Sequence, residues 1–144
     1  MRMIPEGEMV EGGKRKEVKL LVVDEHSDHF DQIRAFVEMD SSQFVIECKL
    51  ALDKEEATAV MDVWRPSVVL VDVHLLSDAL SLIREMSIKG ASVVAVSEAR
   101  IPELSETAQA YGAVGCFTKS DNPDDVEVLV GYIASVASSS PLSH

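Results

Sequence analysis

Five short apolar runs, most of them rich in valine, recur along the chain, and a helix-period segment follows each one. The runs are residues 18–23, 44–50, 68–71, 93–96 and 114–117. They are too short for buried helices, and polar residues or Gly bound them, so they read as strands. The first segment between them covers about 28–39, with Phe30, Ile33, Phe36 and Val37 on one face. The second opens at Asp53, where Glu56 three residues on forms a capping pair, and closes before Arg65-Pro66. The third covers Ser77 to about Ile88 and stops near Gly90. The fourth follows Pro102, a good first-turn residue, and ends at Tyr111-Gly112. The fifth starts after Asn122-Pro123 and carries Val126, Leu129, Val130 and Ile133.

Strict strand–helix alternation predicts a parallel sheet with helices on both faces. Five such units predict an α/β, flavodoxin-like doubly wound (βα)5 fold with strand order 2-1-3-4-5 and right-handed crossovers. Residues 1–16 read as a flexible leader, 17–137 as one domain, and 138–144 as a Ser-rich tail or linker.

The chain has 144 residues, of which 47% are hydrophobic, enough for one cored domain. Its formal charge of −12 argues against direct nucleic-acid binding, which runs on Lys and Arg. No apolar run approaches the roughly 18 residues of a membrane helix. The polar N-terminus lacks the apolar core of a signal peptide. A cytoplasmic location is therefore expected, with Cys48 and Cys116 as reduced thiols. Met61 and Met86 read as core filler.

In this fold, sites collect at the carboxyl ends of the strands. Strand one ends in Asp24-Glu25, strand three in Asp72 and strand four in Ser97, and Lys119 follows strand five. Any one of these is an ordinary turn or capping residue. Together they bring three carboxylates, a hydroxyl and an ammonium to one edge. His26 and His29 read as surface residues rather than metal ligands.

Four motifs in order resemble response-regulator receiver domains. Leu20-Leu21-Val22-Val23-Asp24-Glu25-His26 is similar to the receiver strand that ends in two acids. Val68-Val69-Leu70-Val71-Asp72 resembles the phosphoacceptor strand. Val93-Val94-Ala95-Val96-Ser97 resembles the strand ending in the switch Ser or Thr. Gly112-Ala113-Val114-Gly115-Cys116-Phe117-Thr118-Lys119 resembles the run to the family's lysine. His26, and the lack of Pro after Lys119, are closest to receivers that carry a helix-turn-helix output domain.

The resemblance implies that Asp72 accepts a phosphoryl group from a sensor histidine kinase. It implies Mg²⁺ held by Asp24, Glu25, Asp72 and the main-chain carbonyl of His74. A carboxylate nucleophile is repelled by an anionic donor, and a hard cation with oxygen ligands removes that repulsion. Lys119 and Ser97 would then bind phosphoryl oxygens, and the fourth helix and fifth strand would shift. A homodimer is implied, and DNA would be reached only through an output domain that this chain does not contain. The domain is not expected to be an enzyme.

Two features depart from the family. Receivers usually carry Met-Pro and then Gly after the acceptor, whereas Val73-His74-Leu75-Leu76-Ser77 has neither Pro nor Gly, and the loop looks about three residues short. Cys116 stands where receivers place the Tyr or Phe that reports activation, and Phe117 alternates to the other face. The same fold could therefore serve as a non-phosphorylated pseudo-receiver that binds proteins. A cobalamin domain lacks its Gly signatures here. An Asp-based phosphatase would want a second Asp at position 74, which is His.

Overall fold

A computed structural model describes residues 16–39, 44–73, 78–98, 102–120 and 122–139. Most of the expected leader and tail thus lie outside the described residues, as do His74 and the short loop around it. The elements run β1 (Lys16–Val23), α1 (Asp28–Met39), β2 (Phe44–Ala51), α2 (Lys54–Trp64), β3 (Val68–Asp72), α3 (Ala79–Ile88), β4 (Ser92–Ser97), α4 (Pro102–Ala110), β5 (Ala113–Thr118) and α5 (Pro123–Ser139). All strand pairs are parallel, in the order β2-β1-β3-β4-β5. This is the flavodoxin-like (βα)5 arrangement expected from the alternation.

The strands divide two apolar clusters by residue parity, as a period of two requires. Leu21, Val23, Val69, Val71, Val93 and Ala95 meet α2 and α3 through Met61, Leu82, Ile83 and Met86. Leu20, Val22, Val68, Leu70, Val94 and Val96 meet α1 and α5 through Phe30, Ile33, Leu129 and Ile133. Every residue of β3 is buried. That explains why the run does not alternate in polarity: both of its faces are covered.

Local chemistry sets the helix ends. Asp53 Oδ1 accepts from Glu56 N at 2.8 Å, and Glu56 Oε1 accepts from Leu52 N at 2.7 Å. These bonds satisfy donors that the first turn of α2 leaves open. Arg65 closes α2 in the left-handed region at φ 55°, donating its N–H to Met61 O. The expected start of α3 at Ser77 moves to Ala79, with Asp78 as the N-cap and no side-chain capping bond.

β5 is less regular. Val93 pairs with Ala113, and Val94 pairs with Gly115, so Val114 bulges out of the ladder. Its carbonyl accepts the Tyr132 hydroxyl of α5 at 3.1 Å. Gly115 leaves room for that hydroxyl: a Cβ there would lie 2.5 Å from Tyr132 Oη and would displace it.

Candidate functional site

The ladder registers bring the acids together. Val23 pairs with Val71, so the next residues, Asp24 and Asp72, leave neighbouring strands side by side. Asp24 N donates to Ala51 O at 3.0 Å. Asp24 Oδ1 accepts from His26 N at 2.9 Å, which fixes the carboxylate over the turn into α1. Val73 N donates to Val96 O at 2.9 Å, so the backbone stays in register just past Asp72. Both aspartates are about 1% exposed.

Lys119 supplies the opposing charge. Its Nζ lies 2.8 Å from Asp24 Oδ2 and also forms an ion pair with Asp72 Oδ2. Two buried carboxylates of like sign would repel strongly in a low-dielectric setting, and the shared ammonium offsets that repulsion. Burial pulls the Lys119 pKa down, but the bonds and charges of Asp24 and Asp72 outweigh it and hold the group above the ordinary lysine value. Ser97, also buried, ends β4 opposite Thr118. Lys119 N donates to Ser97 O at 2.8 Å.

The structure therefore gathers Asp24, Asp72 and Lys119 in direct contact, with Ser97 tied to the Lys119 backbone. Glu25 is exposed. Among the described residues, no three His, Cys, Asp or Glu side chains are grouped to hold a metal ion. Two adjacent hard carboxylates nevertheless match the oxygen preference of Mg²⁺, which keeps several waters and takes few protein ligands.

The histidines differ. His26 is exposed, but His29 is buried at the start of α1, so the surface reading fails for it. Its place on the inner face of an amphipathic helix beside Phe30 and Ile33 explains the burial. That signal was present in the helical period, and the charge-rich neighbourhood hid it. Cys116 packs with the α2–α3 cluster, whereas Phe117 packs with the α1–α5 cluster, its ring 4.9 Å from that of Tyr132. A cleft of about 510 Å³ beside the site is lined by Ser97, Pro102, Glu106, Cys116 and Phe117, among others.

Solved structures of response-regulator receivers share this fold. A response regulator from Thermotoga maritima is 24% identical, with a TM-score of 0.73 over 83% of this chain and 98% of that one. The signal receiver domain of a DNA-binding response regulator from Colwellia psychrerythraea is 20% identical, with a TM-score of 0.69 over 82% and 98%. NtrX from Brucella abortus is 22% identical, with a TM-score of 0.71 over 85% of this chain but 27% of that longer one. No protein-family model matches the sequence, and no curated protein matches it significantly. The chain thus has the size and fold of a receiver domain, and at these identities the likeness is one of fold. No described helix is long and apolar enough to cross a membrane.

Proposed function

We propose that the chain is the receiver of a cytoplasmic two-component response regulator and that Asp72 accepts the phosphoryl group. The observation that carries this reading is the buried Asp24–Lys119–Asp72 contact at the carboxyl edge of a receiver-like sheet. A buried carboxylate beside a second one is costly to maintain for stability alone. It suits a group whose charge must be handled during chemistry.

The donor is a phosphohistidine of a sensor kinase. An Asp72 oxygen attacks phosphorus, the P–O bond forms as the P–N bond breaks, and the imidazole leaves with the electron pair. Asp24 and Asp72, with Glu25 and the His74 carbonyl as further ligands, would hold Mg²⁺, which supplies charge neutralisation for the transfer. Lys119 releases Asp72 and binds a phosphoryl oxygen, and Ser97 donates to another. The added charge and acceptor oxygens draw the β4–α4 segment inward and shift the population toward a second packing. The domain is an acceptor and switch rather than a turnover enzyme. It would reach DNA only through an output domain.

Acetyl phosphate with Mg²⁺ tests the reading. Mass spectrometry should show one phosphoryl adduct on Asp72, absent in Asp72→Asn. An unmodified wild-type protein at every Mg²⁺ concentration sinks it. That result would instead favour the pseudo-receiver, for which Cys116 in place of the reporting aromatic residue is the specific observation.

A further inference from the structure

We propose that the free edge of β2 pairs with β2 of a second copy, making a two-fold dimer with one continuous ten-stranded sheet. β2 ends the sheet, and among the described residues no strand pairs with the outer backbone edge of its eight residues. Such edges are templates for pairing unless charge or shape blocks them. Along β2, Val45, Glu47 and Lys49 are exposed, while Ile46, Cys48 and Leu50 are half-buried against the α1–α5 cluster. Among the described residues, neither Glu47 nor Lys49 enters an ion pair within the chain, and the Lys49 ammonium rests 5.0 Å from the centre of the Trp64 ring, a contact an ion pair would have to share or replace.

The order of these charges selects the partner. A two-fold axis perpendicular to the sheet makes the paired strands antiparallel and keeps like faces together. Centred on Cys48, it sets Glu47 opposite the second copy's Lys49, and Lys49 opposite the second copy's Glu47. The same register sets Ile46 opposite Leu50 on the α1 side, so the half-buried apolar residues cover one another. Centring on Glu47 or on Lys49 would set like charges opposite each other. One register is therefore self-complementary in both charge and apolar contact, and its neighbours are penalised. This edge lies across the sheet from β4 and β5, so pairing leaves the Ser97 cleft open. The competing occupant is water, with Glu47 and Lys49 acting only as guards of an edge strand.

Sedimentation velocity of the full chain tests the proposal. The wild type should shift from monomer to dimer with rising concentration. Glu47→Lys alone and Lys49→Glu alone each convert two attractive cross-strand pairs into two repulsive ones, and each should weaken the dimer about fivefold or more. The double variant E47K/K49E restores complementarity and should recover the wild-type constant. Circular dichroism checks that each variant is folded. A wild type that stays monomeric up to about millimolar concentration overturns the proposal. So does a dimer that ignores the single reversals, or one that the double variant fails to restore.

Discussion

The Lys119 backbone N–H donates to the Ser97 carbonyl at 2.8 Å, joining the end of β5 to the end of β4. The hydroxyl expected to sense the phosphoryl group and the ammonium that holds the resting acceptor therefore sit on one hydrogen-bonded pair of residues. Movement of Ser97 pulls on the strand that carries Lys119, and movement of Lys119 pulls on Ser97.

Ser97→Ala should separate chemistry from switching. The backbone bond to Lys119 survives the change, so Asp72 should still be modified by acetyl phosphate. The phosphorylation-dependent shifts in the NMR spectrum of α4 and β5 should shrink or vanish. Wild-type shifts in the alanine variant would show that the hydroxyl is not the sensor.

Lys119→Met and Asp72→Asn should differ in stability. The methionine variant leaves two buried carboxylates without their cation, at a cost of about 3 kcal/mol, the low end for a broken buried pair because Lys119 retains some exposure. Asp72→Asn leaves Lys119 paired with Asp24 and should cost less than about 1 kcal/mol. Urea melts at neutral pH would show the order, and equal losses would contradict it. Mg²⁺ should partly restore the methionine variant, because a ligand of the native state stabilises it by mass action. The Lys119 pKa is raised by its partners, so the wild-type pairing contribution is complete below the unfolded lysine value near 10.5. It should fade as pH rises through the folded value.

Gly115→Ala should destabilise the α5–β5 contact by about 1–2 kcal/mol, through displacement of the Tyr132 hydroxyl from the bulged Val114 carbonyl. Combining it with Tyr132→Phe removes the colliding oxygen and should cost less than the sum of the single changes. Gly112→Ala offers a contrast. Its φ of +124° and the 2.7 Å approach of Ser87 Oγ both oppose a Cβ, so Ser87→Gly should give incomplete rescue in thermal melts.

Asp53→Ala should cost about 1 kcal/mol through loss of the α2 cap. Because Glu56 returns a bond to Leu52 N, the Asp53 and Glu56 truncations should be non-additive in a double-mutant cycle. Additive losses would mean that the two bonds act independently.

The strands, their order and the α2 cap were legible because each rests on local pattern. Valine runs buried on two faces cannot be mistaken for amphipathic helix, and Asp53 with Glu56 is a self-contained signal. The meeting of Asp24 and Asp72 was legible once the strand order was assumed, since both end neighbouring strands. The bulge at Val114 was not legible. It depends on a hydroxyl 18 residues away, and nothing in Ala113-Val114-Gly115 alone distinguishes a bulge from a regular strand. The burial of His29 was missed for a related reason. Polarity suggested its exposure, but the helix face decided it.

The salt link between the lysine and both aspartates gives the resting domain a built-in counter-ion. The folded state can thus tolerate its acidic pair when divalent ions are scarce. On the proposed reading, Mg²⁺ would have to displace that tethered ammonium from the two carboxylates, so the side chain that balances the acidic pair would also set a threshold for turning the domain on.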